Sequence, residues 1–293
     1  MQAIRSSGRV VRFALSRTTA GGAVGVLILS MVVACALFAD MLSPHDPNHK
    51  QITLKLRPPI GADRSIEGHL LGTDQLGRDL LSRLIHGARP SLYVPLLATL
   101  IAMALGVTLG MLAGLSGGWL DLLLMLFNDT MLAVPAILIA IAITGAIGRT
   151  DAGVLIVILG LLGWVVYTRM VRSEVLTLRE REFMAAAKAQ GAGLFHLMFR
   201  HLLPNLWPLV LVIATLQIAS FTLVEAALSY LGLGLPPGTP SWGRMVAEGQ
   251  QHMFVAWWYA LFPGLVITVY VTGLYLVGDW LRDLLGLRGR ALP

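Results

Sequence analysis

Six long, mostly apolar runs, at about 20–42, 91–116, 120–146, 152–170, 206–232 and 257–279, leave this chain little choice of solvent. A helix rising 1.5 Å per residue needs roughly 20 such residues to cross about 30 Å of hydrocarbon. Each run meets that length. With 56% of its 293 residues hydrophobic and only 13% charged, the chain does not have the composition of one or two soluble domains. The last two runs begin at Trp207 and at Trp257 and Trp258, and others are edged by Tyr93, Trp119, Tyr167 and Trp280. Amphipathic rings at span ends are what a membrane–water interface selects.

A net charge of +6 would suit nucleic acid, but the distribution excludes it. The basic residues gather at span ends. Arg5, Arg9, Arg12 and Arg17 precede the first run, and Arg169, Arg172, Arg179, Arg181, Lys188 and Arg200 follow the fourth. Arg282, Arg288 and Arg290 follow the sixth. With six spans these groups share one side, which the positive-inside rule makes cytoplasmic, so both termini are expected there. Segment 43–90 carries seven Lys or Arg against five Asp or Glu on the other side. It is long enough for the rule to weaken. Cys35 is the only cysteine, which excludes an intrachain disulfide and a cysteine metal cluster. Val32-Val33-Ala34-Cys35 looks like a lipoprotein cleavage site, yet the apolar run continues through Leu37, Phe38 and Leu42. That length favours an uncleaved first helix over a short signal.

The chain divides into residues 1–90, with a tail, one span and an external segment, and residues 91–293, with five spans and a cytoplasmic segment at about 179–204. Pro and polar residues at 43–69 read as irregular structure. From Gly72-Thr73-Asp74 onward, with Thr73 or Asp74 as cap, Leu80, Leu81, Leu84 and Ile85 share one helical face. This predicts an amphipathic helix lying at the interface before span 2. Between spans 2 and 3, Leu115-Ser116-Gly117-Gly118 matches part of an ATPase signature. The three lysines, Lys50, Lys55 and Lys188, sit in no phosphate-binding loop, so these residues are read as a tight turn. No catalytic residue is assigned.

Polar residues inside the runs are candidates for a path or gate. Asp129 lies about 15 Å into span 3, where facing lipid would cost roughly 2.5–3.5 kcal/mol. It is expected to face the bundle or a water-filled path, with Pro135 kinking the helix beyond it. Gln217 and Glu225 stand in span 5, Glu225 near its outer boundary, where it either shapes a gate or bonds to the following loop. His196 and His201 lack a third ligand, so no metal site is assigned.

Segment 179–204 is a basic, Ala-rich loop. Ala185, Ala186, Ala187 and Ala189 favour a helix, Gly191 and Gly193 interrupt it, and Leu194 to Leu203 forms a second short helix ending near Pro204. Phe183, Phe195 and Phe199 are expected to anchor the pair. The pattern resembles the EAA loop of ABC importer permeases, E-A-A-x3-G-x9-I-x-L-P. Ala186, Ala187, Gly191, Leu203 and Pro204 fit its spacing, with Ala185 in place of the Glu and His201 in place of the Ile. Glu182 is the nearby substitute for that missing Glu, and Ala192 completes the set. HLLGTDQLGRDLLSRLIHGARPSL, GGWLDLLLMLFNDTMLAVPAILIA, EAALSYLGLGLPPGTPSWG and GDWLRDLL resemble the C-type permeases of dipeptide, oligopeptide and nickel importers, over about residues 70 to 285. Leu126 stands where relatives carry Arg, so the family's Arg–Asp pair within span 3 is expected to be missing.

The resemblance implies an all-α type I ABC importer permease of six spans in a bacterial inner membrane. It would pair with a homologous second permease, two cytoplasmic ATPase subunits and an extracytoplasmic substrate-binding protein. ATP and Mg would be bound by the partners and no cofactor by this chain. The cargo implied is a short peptide, with nickel complexes or other small solutes as the alternative. An ion-coupled secondary carrier is disfavoured because no internal repeat is visible. A membrane-embedded enzyme lacks clustered polar groups at one depth.

Overall fold

The computed structural model describes residues 2–148, 151–236 and 238–286, with side chains from Ala20 onward. Pro237, Arg288 and Arg290, and the side chains of Arg5, Arg9, Arg12 and Arg17, lie outside the described residues. The elements are α1 (Gln2–Leu37), α2 (Ala39–Leu42), α3 (Leu80–Ser116), α4 (Gly118–Ala133), α5 (Ala136–Ile147) and α6 (Ala152–Leu178). They continue with α7 (Glu182–Ala189), α8 (Leu194–His196), a π-helical turn (Leu197–Leu202), α9 (Leu203–Tyr230), α10 (Trp242–Gln250) and α11 (Trp257–Leu284). The described pairing of β type is a lone Thr73–Asp79 bridge. The all-α expectation holds.

Among the described residues five helices are each long and apolar enough to cross a membrane, and the expected third span is not one of them. It is broken into α4 and α5, bent by 81°. Pro135 is the reason. The residue before a proline is pushed out of the helical region, and Val134 is extended at φ −107°, ψ 128°. What was expected as a kink is a full interruption.

The broken pair nevertheless crosses the bundle. Gly106 of α3 faces Trp164 and Tyr167 of α6, Gly110 faces Thr168 and Val171, and Gly114 faces Val175. Both numbers rise together, so α3 and α6 run parallel, and the chain must return to the far end between them. With the broken pair taken as one span, the described residues give six crossings, the count read from sequence. α1 lies antiparallel on α11, with Gly22 against Trp280 and Gly25 against Gly273, which brings the described parts of α1 and α11 nearest the termini to the same end.

The α3–α6 seam is the spine of the molecule. Ala98, Ala102, Gly106, Gly110 and Gly114 recur every fourth residue, a ridge of small side chains that lets two backbones approach. A Cβ on Gly110 would sit 2.8 Å from both the Thr168 carbonyl oxygen and Val171 Cβ. The Thr168 hydroxyl donates to the Gly106 carbonyl at 3.1 Å.

The interfacial helix expected before span 2 does not exist as a separate element. Its residues are the first turns of the 37-residue α3, and Leu80, Leu84, Ser82 and Arg83 are buried. The cap is Asp79 rather than Thr73 or Asp74, its carboxylate accepting from Ser82 N at 2.8 Å. The second short helix of segment 179–204 is also absent as such: Leu194–Tyr230 is one continuous 37-residue helical stretch running through Pro204.

Candidate functional site

At one end of the bundle α7 projects as a short elbow. Its end is fixed by backbone geometry: Gly191 N–H donates to the Lys188 carbonyl at 2.9 Å and Ala192 N–H to the Ala187 carbonyl at 3.1 Å. This pair of bonds is the Schellman arrangement, which needs a left-handed residue after the helix. Gly191 supplies it at φ +79°. A Cβ there would meet nothing within 4 Å, so the glycine is required by its backbone and not by crowding. Ala185, Ala186 and Glu182 are exposed, while Met184 and Ala187 pack inward. Arg179 ties the root of the elbow to α3 by donating to the Gly114 carbonyl at 3.0 Å.

The other wall of the elbow is the π turn. Pro204 has no N–H to return to the Arg200 carbonyl, and the chain absorbs the missing bond by widening just before it. Leu197, Met198 and Leu202 face inward; Phe195 and Phe199 are exposed and stacked with ring centroids 6.4 Å apart. His196 and His201 lie 5.3 Å apart by ring centroids, five residues apart as a π turn dictates. Together these elements enclose an open cleft of about 470 Å³, lined by Phe183, Ala186, Gly191 and both histidines among others. Ala186, Ala187, Gly191 and Ala192, chosen from spacing, are thus brought together at the cleft. Glu182 starts α7, and Leu203 and Pro204 start α9.

The polar residues within the spans separate. Asp129 is half exposed and paired with Arg169 of α6 at 2.5 Å. The missing Arg at position 126 is therefore answered from another helix, and Leu126 is exposed. One helical turn group away, Arg172 of α6 holds Asp121 of α4 through two bonds of 2.5 and 2.6 Å. Asn128 is fully buried and donates to the Val165 carbonyl at 3.0 Å. Gln217 lines a cavity of about 240 Å³ with Pro135, Gly163 and Phe221, at the break between α4 and α5. Glu225 is buried, and Ser229 donates to it at 2.7 Å within α9 rather than from the following loop.

The opposite end carries a charge cluster that sequence reading missed. Asp74 accepts from Arg78 Nε and Arg83 Nη1, each at 2.5 Å, and all three are buried. Burial pushes the Asp74 carboxyl above its ordinary range, and the backbone N–H and charge of Arg78 oppose the rise. Glu248 of α10 lies 3.3 Å from both guanidiniums and accepts from Tyr259 of α11 at 2.6 Å. Trp242 of α10 donates to the Leu84 carbonyl at 2.9 Å. The signal for this cluster was the sequence Asp74-x3-Arg78-x4-Arg83, obscured because its partner Glu248 is distant in sequence.

Residues 106–290 match a family model described as the binding-protein-dependent transport system inner membrane component. The chain belongs to this family. It is an inner-membrane permease component that crosses the bilayer several times. The chain is 42% identical, over 89% of its length and 86% of the relative, to a di/tripeptide transport system permease protein of Pseudomonas aeruginosa (strain UCBPP-PA14). It is 40% identical, over 89% of its length and 84% of the relative, to a dipeptide transport system permease protein of Alkalihalophilus pseudofirmus (strain ATCC BAA-2126 / JCM 17055 / OF4). A probable D,D-dipeptide transport system permease protein of Escherichia coli (strain K12) is 36% identical over 88% of the chain and 85% of that relative.

Proposed function

We propose that this chain is one half of the path by which short peptides enter the cell, driven by ATP consumed in partner subunits. The observation that carries the reading is the α7 elbow: exposed, capped by a rigid backbone motif, and rooted on α3 and α6, the two most closely packed helices. A push on Ala185 and Ala186 reaches the spine through the short link of residues 179–181, which Arg179 ties to the Gly114 carbonyl. In this reading the α7 end is cytoplasmic, as are both termini. Two ATPase subunits, binding ATP and Mg, seat beneath this chain and a homologous permease, while a substrate-binding protein delivers cargo at the α10 end. The ATP and Mg are held by the ATPase subunits, and this chain takes no part in the hydrolysis. Glu182, Ala185, Ala186, Ala187, Gly191, Ala192, Leu203 and Pro204 form the coupling surface.

Asp129 and Gln217 line the path, where the bundle opens at the α4–α5 break. Glu225, enclosed within the helix packing, supports the outer part of α9 instead of touching cargo. Closure of the ATPases would shift the population between inward- and outward-open states. The names of the relatives favour peptides over nickel complexes.

The test is Gly191→Trp in the assembled transporter. The expected result is membrane insertion at the normal level, loss of peptide uptake by at least about tenfold, and ATP hydrolysis that no longer responds to the loaded binding protein. Uptake at the wild-type rate would remove the lever.

A further inference from the structure

At the α10 end, outside the charge cluster, three side chains from separate parts of the chain converge. Asp79 caps α3 and is fully buried; besides Ser82 N at 2.8 Å and Ser82 Oγ at 2.6 Å, it faces His69 Nδ1 at 2.8 Å. His45 brings its own Nδ1 to 4.0 Å from the second carboxylate oxygen. The two imidazoles are stacked, centroids 4.7 Å apart and inclined by 24°. One candidate donor atom from each of His45, His69 and Asp79 lies within 4.8 Å of the other two. His69 is buried, but the His45 side chain is 39% exposed and opens on a cavity of about 500 Å³, also lined by Asp40, Asp46 and His86.

We propose that His45, His69 and Asp79 bind one divalent transition-metal ion of the zinc class. Ligand bonds to Zn(II) are about 2.0–2.2 Å, which places donors of a tetrahedral ion roughly 3.3 Å from each other. His69 Nδ1 lies 2.8 Å from Asp79 Oδ1 and His45 Nδ1 lies 4.0 Å from Asp79 Oδ2, and one donor per residue falls within 4.8 Å of the others, so shifts of about 1 Å bring the set to that spacing. Two imidazoles and a carboxylate are a donor set that suits Zn(II), Cu(II) or Ni(II) and not Mg or Ca. Loading replaces the His69–Asp79 hydrogen bond by two metal bonds. A neutral His69 then carries its proton on Nε2, and a His45 that enters protonated gives that proton to solvent. A fourth position is left to water from the cavity.

His86 is nearby but is excluded from the set. Its Nδ1 is 2.9 Å from the Ser82 carbonyl oxygen and its Nε2 is 3.1 Å from Asp40, so both ring nitrogens are engaged. The ion would pin the 43–48 loop to the first turn of α3, supplementing the bond from His45 N–H to Ser82 Oγ at 3.1 Å. This inference stands on the three side chains alone and does not depend on the transport reading.

The experiment is titration of the full-length chain, purified in detergent through a histidine-free tag, with Zn(II) against a chelating dye and with Co(II) followed by visible absorption. Wild type is expected to take up one ion per chain with a tetrahedral Co(II) spectrum and a raised melting temperature. Loss of a supporting group costs metal sites about 10–100-fold, and loss of a ligand should cost at least that. His45→Ala, which keeps the backbone bond to Ser82, should therefore weaken Zn(II) binding by about 100-fold or more. His45→Gln serves as a second variant if the first is poorly folded. His86→Ala should bind within a few-fold of wild type. Absence of uptake by wild type at micromolar Zn(II), unchanged affinity in folded His45 variants, or an equal loss in His86→Ala would each overturn the assignment.

Discussion

At the α10 end of the bundle Asp74, Arg78, Arg83 and Glu248 each find an opposite charge within 3.3 Å, and three of the four are almost wholly buried. At the α7 end no ion pair among the described residues involves α7 or the π turn, and Phe195 and Phe199 stand in the open. The first arrangement is complete within one chain. The second presents alanines, aromatic rings and an open cleft, the makings of an interface that another molecule finishes. A buried ionic cluster holds α3, α10 and α11 in one relative position, while an open elbow leaves its binding energy for a partner.

This contrast can be broken most severely by Asp74→Ala, which takes the nearer counter-charge from two buried guanidiniums and leaves them to share Glu248 at 3.3 Å. Removing one partner of a buried pair costs about 3–5 kcal/mol, so the detergent-solubilised protein should melt markedly earlier. A melting temperature equal to wild type would show that the cluster does not hold α3, α10 and α11 together. Gly191→Trp should cost far less, about 1–2 kcal/mol for the left-handed backbone, although it removes coupling. If its thermal loss matched that of Asp74→Ala, the elbow would be part of the folded core and the contrast would vanish.

Asp129→Asn lies between these extremes in position and below them in stability effect. Its ion pair with Arg169 is half exposed, so a change under about 1 kcal/mol is expected. Peptide uptake should nevertheless fall several-fold if the pair lines the path. Unchanged uptake would reduce Asp129 to holding α4 against α6.

The smallest effect belongs to Asp40, exposed in α2. Hydrogen bonds from Arg89 and then His86 hold its carboxyl below the usual carboxylate range. A lowered folded-state value means that the contribution is present above the unfolded value and is lost as pH falls through the folded one. The difference in melting temperature between wild type and Asp40→Asn should be small at about pH 5 and shrink below about pH 4. A difference that grew on acidification would reverse the sign assigned here.

Much of this was legible in the residues themselves. Apolar run length set the number of crossings, and Gly191 with Ala186 and Ala187 marked the elbow, because both signals are local. The charge cluster was not legible, since Arg78 and Arg83 find Glu248 some 165 residues later. The small-residue ridge from Ala98 to Gly114 could have been read from its four-residue spacing; its partner α6 could not.

Sequence alone determined that the chain must be helical and embedded in a membrane, since apolar length and interfacial aromatics act residue by residue. It also determined where the chain turns at Gly117 and Gly191, because backbone conformation is a local property. Tertiary structure alone decided that Asp129 meets Arg169 and that His45, His69 and Asp79 share one corner. Those outcomes depend on which helices lie side by side, and packing between distant segments follows from the shape of whole surfaces, which no short window of residues contains.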